Sequence, residues 1–219
     1  DINIINSKTL FSGTVKRLDN LLLWFIGSSR ALGGINHPHR DLLKLEYSEL
    51  LNEYIRYVEI GNGMYPDKYK RYHTIYYSLL DKGWKLAPVN SQDNHKLNHG
   101  DSDNLTAVLS EDLDRKSIIS AFGALRVYST ESRTLRLRFL VNNKLMGGTL
   151  YCNDNQALEF MVIAEDKVNR IKGIDIISTG GKVIKSLKDI NLPRVKYIFT
   201  INANNDENYY LAKIYMAGE

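Results

Sequence analysis

The chain has 219 residues, 43% hydrophobic and 25% charged, with 29 Lys/Arg against 25 Asp/Glu for a formal net charge of +4. That size buries a core without a disulfide or metal staple and fits one large domain or two modest ones. The mild basic excess comes without a Lys/Arg cluster interleaved with aromatics, which argues against a nucleic-acid partner. The single cysteine, Cys152, excludes an internal disulfide, and the apolar run 21–26 (LLLWFI) is too short to span a bilayer.

In chain order, residues 14–30 place apolar side chains at helical spacing, and 31–35 read as a buried strand that delivers Asn36-His37-Pro38-His39. A helix over 48–57 follows, capped by Ser48, then a strand at 58–60 ending in Gly61-Asn62-Gly63. A Tyr-rich helix is predicted over 67–82, a strand over 84–89 that ends in Asn90-Ser91-Gln92-Asp93-Asn94-His95, and a strand over 106–109. Asp114 caps a helix over 115–125, followed by a strand at 126–129. This alternation of strands and helices predicts an α/β unit with parallel strands and polar residues at the strand ends, where such folds build sites. From residue 134 the helical period disappears. Strands are predicted at 135–141, 148–152, 157–164, 171–178, 182–187, 195–201 and 208–216, with turns at Asn142-Asn143 and Gly180-Gly181. The expected division is an α/β part over 1–133 and an all-β sandwich over 134–219.

Three strand ends carry candidate chemistry. Asp93 and His95 offer a carboxylate and an imidazole two residues apart, a donor pair suited to Zn, Mn or Fe. The same residues also read as an ordinary Asx turn, and both readings stay open. Pro38 is expected to push His37 toward an extended backbone with its ring directed inward, the alternative being a surface turn. Glu59 is a ligand, a partner holding a histidine, or a strand-end carboxylate in water. Cys152 has no nearby histidine to activate it. Asn204, Asp206 and Glu207 read either as a calcium loop or as a turn.

The segment 83–96 (GWKLAPVNSQDNHK) resembles the last metal motif of the PHP (polymerase and histidinol phosphatase) family, in its bacterial and often exported branch. Segments 34–38 (GINHP), 58–63 (VEIGNG) and 124–131 (ALRVYSTE) resemble further family motifs, in the family order. His99 stands where that branch usually has Trp. The resemblance covers about residues 10–150. It implies the C-terminal part of a distorted (β/α)7 barrel, divalent metal ions and hydrolysis of phosphate esters. It makes His37, Asp93 and His95 metal ligands, Glu59 and Asn62 rim residues near the substrate, and Arg126 a phosphate contact. The family's N-terminal His-x-His motif and its mid-domain Glu/His ligands have no counterpart here, and His37-Pro38-His39 stands where a different motif belongs. The expectation is therefore a fragment whose ligand set is completed by a missing N-terminal half, or a chain that associates with itself. Its expected location is extracellular or at the cell surface. The rival expectation is a non-catalytic glycan- or surface-binding protein, with Tyr65, Tyr69, Tyr72, Tyr76 and Tyr77 as stacking faces or as packing.

Overall fold

The structure, a computed structural model, describes residues 1–13, 18–28, 30–65 and 68–217. The chain divides into two units, Asp1–Ser129 and Thr130–Glu219.

The first unit opens with strand β1 (Ile2–Ile5) and helix α1 (Leu18–Gly27). Leu21 and Phe25, one helical turn apart, are the residues that α1 buries. The expected start of this helix at 14–17, and residue 29, lie outside the described residues. Strand β2 (Leu32–Ile35) is followed by a 3-10 turn at Arg40–Lys44. Helix α2 (Glu49–Tyr54) begins where the Ser48 hydroxyl accepts the Leu51 amide at 3.2 Å. It stops earlier than predicted, because the chain passes directly into strand β3 (Ile55–Asn62). Ile55, Tyr57 and Val58 are all buried there, so this strand is covered on both faces and extends well beyond the expected 58–60.

The Tyr-rich segment divides. Residue 67 of the expected helix lies outside the described residues. Lys70–Arg71 form a short strand, β4, and only His73–Asp81 is helical (α3). Strands β5 (Ala87–Ser91) and β6 (Leu105–Val108), helix α4 (Arg115–Gly123) and all but the last residue of strand β7 (Val127–Thr130) complete the unit. Asp114 caps α4 by accepting the Ser117 amide at 2.8 Å.

Strands β2, β3 and β5 are hydrogen-bonded neighbours running parallel, so their C-terminal ends form one rim. Strand β1 lies antiparallel along β2. Strand β4 pairs antiparallel with β3, on the edge β2 has just left. The expected barrel is corrected: among the described residues this is an open five-stranded sheet beside a separate β6–β7 pair. Between β5 and β6 the link is a side chain: the Thr106 hydroxyl accepts the Asn90 amide and donates to the Asn90 carbonyl, both at 2.9 Å. Barrel closure needs a continuous ladder there.

The second unit contains strands β8 (Arg136–Val141), β9 (Lys144–Leu145), β10 (Ala157–Glu165), β11 (Ile171–Ser178), β12 (Lys182–Leu187), β13 (Arg194–Asn202) and β14 (Leu211–Met216). They form two antiparallel sheets, ordered β13-β10-β8-β9 and β12-β11-β14. Asn142 and Asn143 both have positive φ, +48° and +61°, which matches the twist of the β8–β9 hairpin. The strand expected at 148–152 is not formed; the chain turns at Gly147 and Gly148 instead. Strand β10 shows why the sequence alternates: Leu158, Phe160, Val162 and Ala164 are fully buried. Phe160 stacks on Phe199 at 5.1 Å and meets Tyr210 edge-on at 5.0 Å. The molecule as a whole is mixed α/β and strand-rich, with few helices. Among the described residues, no helix is long and apolar enough to cross a membrane.

Candidate functional site

Glu59, near the end of β3, is 3% exposed, and its Oε2 accepts two hydrogen bonds. One comes from the His37 backbone amide at 2.5 Å, just past β2, and the other from Asn62 Nδ2 at 2.9 Å. Among the described residues, Oε1 receives none. Glu59 therefore ties the exit of one strand to the end of its neighbour.

His37 departs from expectation. It is not extended: its φ is +28°, in the sparsely populated left-handed region, despite the Pro38 that follows. The bond from its amide to Glu59 holds that turn. Its Nε2 lies 3.2 Å from Asp1 Oδ2.

Beyond β5, Asp93 also has positive φ, +47°, and its amide donates to the Ser91 hydroxyl at 3.1 Å. Its Oδ1 lies 3.6 Å from His95 Nε2, and the His95 side chain is largely exposed. The loop carrying this pair is braced. Gln92 donates to the Asn98 carbonyl at 3.1 Å and accepts the Gly100 amide at 2.9 Å. At the root of the loop, Asn104 Nδ2 donates to Asn90 Oδ1 and to the Ser91 carbonyl, both at 3.0 Å. Asn90 Nδ2 in turn donates to the Tyr69 hydroxyl at 2.7 Å. That last bond needs Gly61, because a Cβ there would sit 1.9 Å from the Tyr69 oxygen. His99 Nδ1 is 3.3 Å from Asn94 Nδ2, a contact within the loop.

Sequence reasoning placed Glu59, Asn62, His37, Asp93 and His95 at strand ends, and the structure puts those ends side by side. Arg126 does not join them. Its side chain is exposed at the start of β7, where its carbonyl accepts the Leu109 amide at 2.8 Å. Leu109 lies just past β6, at the end away from Asn104 and Thr106, which bond to the end of β5. The metal expectation is also incomplete: among the described residues no three His, Cys, Asp or Glu side chains gather as a ligand set. A Zn, Mn or Fe ion takes four or more donors, and one carboxylate–imidazole pair does not supply them.

Other candidates resolve locally. Asp206 and Asn204 form an Asx turn, with the Asp206 amide donating to Asn204 Oδ1 at 3.0 Å, and Glu207 accepts the Tyr210 hydroxyl at 2.7 Å. Tyr76 is buried and donates to the Leu86 carbonyl at 3.0 Å, and Tyr65 packs edge-on to Tyr69 at 5.4 Å. Cys152 is exposed.

Two contributions were not read as such from the sequence. Asn90 and Asn104 form the root of the loop, yet asparagines in polar stretches carry no signal of burial. Tyr72 follows β4, with its amide bonded to the Ile60 carbonyl at 2.8 Å. Burial, and then the charges of Glu59 and Asp93, push its phenol above the ordinary tyrosine range, which places it in the field of both carboxylates.

The fold and site thus define a mixed α/β protein with a polar rim at the ends of neighbouring parallel strands. No protein-family model matches the chain, and no curated protein matches it. Among solved structures it is similar to a two-domain protein from Bacteroides vulgatus ATCC 8482, described as containing a predicted PHP-like metal-dependent phosphoesterase. The identity is 13% and the TM-score 0.46, over 98% of this chain and 70% of that one.

Proposed function

We propose that this chain carries part of the site of a metal-dependent phosphoesterase, with the rim of β2, β3 and β5 as the place where a phosphate ester binds. One observation supports this reading above the others. Residues far apart in sequence, His37, the Glu59–Asn62 pair and the Asp93–His95 pair, converge at the ends of adjacent parallel strands. These are the residues carried by the PHP-like motifs. Turns alone give no reason for a buried carboxylate, a strained histidine and a strained aspartate to share one rim.

A bound divalent ion would polarise the phosphoryl group and acidify a water. Asp93, His95 and His37 are this chain's candidate donors, and further donors are required. Glu59 and Asn62 fix the backbone beside them. We read the two antiparallel sheets of the second unit as an appended sandwich without a catalytic role.

The test is elemental analysis and calorimetric titration with Mn²⁺ and Zn²⁺, alongside hydrolysis of p-nitrophenyl phosphate. Metal binding that is lost in Asp93→Ala and His95→Ala, with metal-dependent hydrolysis, supports the reading. The absence of a three-donor cluster among the described residues favours a second reading, a non-catalytic binding protein on this scaffold. Binding of a glycan or surface partner with neither metal uptake nor hydrolysis would put that reading first.

A further inference from the structure

A rim that receives a phosphate ester needs donors for the phosphoryl oxygens, and Glu59 and Asp93 are acceptors. Strand β4 brings donors. It pairs with β3 where β2 ends: Ile35 is opposite Val58, whereas Gly61 is opposite Arg71 and Asn62 opposite Lys70. The Tyr72 amide continues this ladder onto Ile60. Cross-strand partners share a face, and side chains alternate along a strand. Lys70 and Tyr72 therefore stand on the face of Asn62, whose side chain is bonded to Glu59. Tyr69 and Arg71 take the other face, where the Arg71 guanidinium lies 5.2 Å from the Tyr69 ring centroid.

Lys70 is exposed and makes no ion pair or side-chain hydrogen bond among the described residues. The Tyr72 hydroxyl is likewise unengaged: Tyr72 occupies the N-cap position of α3 without making a side-chain cap bond. An ammonium and a phenol on alternate residues are both donors and together suit a tetrahedral oxyanion.

We propose that Lys70 and Tyr72 form the anion-binding edge of the rim, donating hydrogen bonds to the non-bridging oxygens of a phosphate monoester. The choice of substrate rests on the phosphoesterase reading; the oxyanion chemistry can be tested without turnover. Lys70 also supplies the cation that Arg126, at the other end of the unit's strands, does not.

The experiment is equilibrium dialysis of the full chain against inorganic phosphate, with and without Mn²⁺, for wild type, Lys70→Ala, Tyr72→Phe and Arg71→Ala. Circular dichroism verifies the fold of each. Lys70→Ala is expected to weaken phosphate binding about tenfold and Tyr72→Phe about threefold, with Arg71→Ala within about twofold of wild type. No phosphate binding by wild type, or equal binding by wild type, Lys70→Ala and Tyr72→Phe, overturns the proposal. Hydrolysis of p-nitrophenyl phosphate separates the two readings. Phosphate binding that depends on Lys70 and Tyr72, without any hydrolysis, keeps the anion edge and removes the phosphoesterase. Hydrolysis with an unchanged KM in both variants does the reverse.

Discussion

Both units bury carboxylates, and Asp166 of the second and Glu59 of the first are treated differently. Asp166, 1% exposed in the second unit, has both oxygens engaged. Its Oδ2 accepts the Ser132 hydroxyl, and its Oδ1 accepts the Thr134 hydroxyl and the Val168 amide at 2.8 Å and the Asn169 amide at 2.7 Å. Glu59, in the first unit, accepts two bonds on one oxygen. A carboxylate with both oxygens engaged locks a turn. Glu59 instead ties two neighbouring strand ends through one oxygen, beside His37 with positive φ. The surroundings agree: β10 buries an unbroken alternation of apolar side chains, whereas the rim of the first unit is Asn, Asp, Glu, His and Tyr.

The largest effect comes from the apolar side of this contrast. Phe160→Ala removes a fully buried ring that touches Phe139, Phe199 and Tyr210. The expected loss is about 3–5 kcal/mol, read from urea denaturation. A loss below about 1 kcal/mol would mean that the second unit's core is not packed as described.

Next comes Asp166→Ala, which strands two hydroxyls and two amides at an expected cost of about 2–3 kcal/mol. The pH dependence sharpens this. Burial alone would raise the Asp166 pKa, but the Asn169 amide, the Ser132 and Thr134 hydroxyls and the Val168 amide outweigh it, and the net shift is downward. A carboxyl with a depressed folded pKa contributes stability that is fully present above its unfolded value, about 3.9, and is lost as pH falls through the lower folded value. The stability gap between wild type and Asp166→Asn should therefore close as the pH is taken below about 4. A gap that widens toward acid would contradict a carboxylate held ionised by these four donors.

Glu59 should behave otherwise. Glu59→Ala leaves the His37 amide and the Asn62 amide group unpaired, for an expected loss of about 1–2 kcal/mol. Glu59→Gln keeps an acceptor for both donors and should cost less than about 1 kcal/mol, while phosphate-ester hydrolysis, if present, falls at least about tenfold. Equal activity in Glu59→Gln and wild type would make Glu59 a strand tie and nothing more.

Much of this was legible in the sequence, for identifiable reasons. The caps at Ser48 and Asp114 are local and were read directly. The strict alternation in β10 and the Asn142-Asn143 turn expressed the second unit plainly. The motifs put His37, Glu59, Asn62, Asp93 and His95 at the ends of strands that the structure makes parallel neighbours. What escaped depends on pairing between distant segments. Nothing in the run around Lys70 says that it will leave a helical pattern to pair with Gly61 and Asn62, because the pattern's tyrosines suit a helix–sheet interface equally well. The openness of the sheet was also hidden: it depends on Thr106 meeting Asn90 through its side chain, a matter of register that composition does not encode. Pro38 misled for a related reason, since a local preference for extended backbone yielded to the bond with Glu59.

The smallest effect tests the sharpest disagreement between motif and structure. The motif around Arg126 suggests a phosphate contact, yet the four residues of β6 separate Leu109, its backbone partner, from Asn104 at the rim, on the order of 15 Å of extended chain. Arg56 at the start of β3 fixes the same end, donating from Nη2 to the Gly123 carbonyl at 2.9 Å. Arg126 itself is anchored by its backbone, with its amide on the Ala121 carbonyl at 2.8 Å, while its side chain is exposed. Arg126→Ala should therefore change stability by less than about 0.5 kcal/mol and leave both phosphate binding and the KM for p-nitrophenyl phosphate unchanged. Arg56→Ala removes a part-buried guanidinium that satisfies the Gly123 and Asn52 carbonyls and should cost clearly more. If Arg126→Ala instead raised KM tenfold with stability intact, the start of β7 would have to lie at the rim, and the separation of Arg126 from Glu59 drawn from the β6–β7 pair would be wrong.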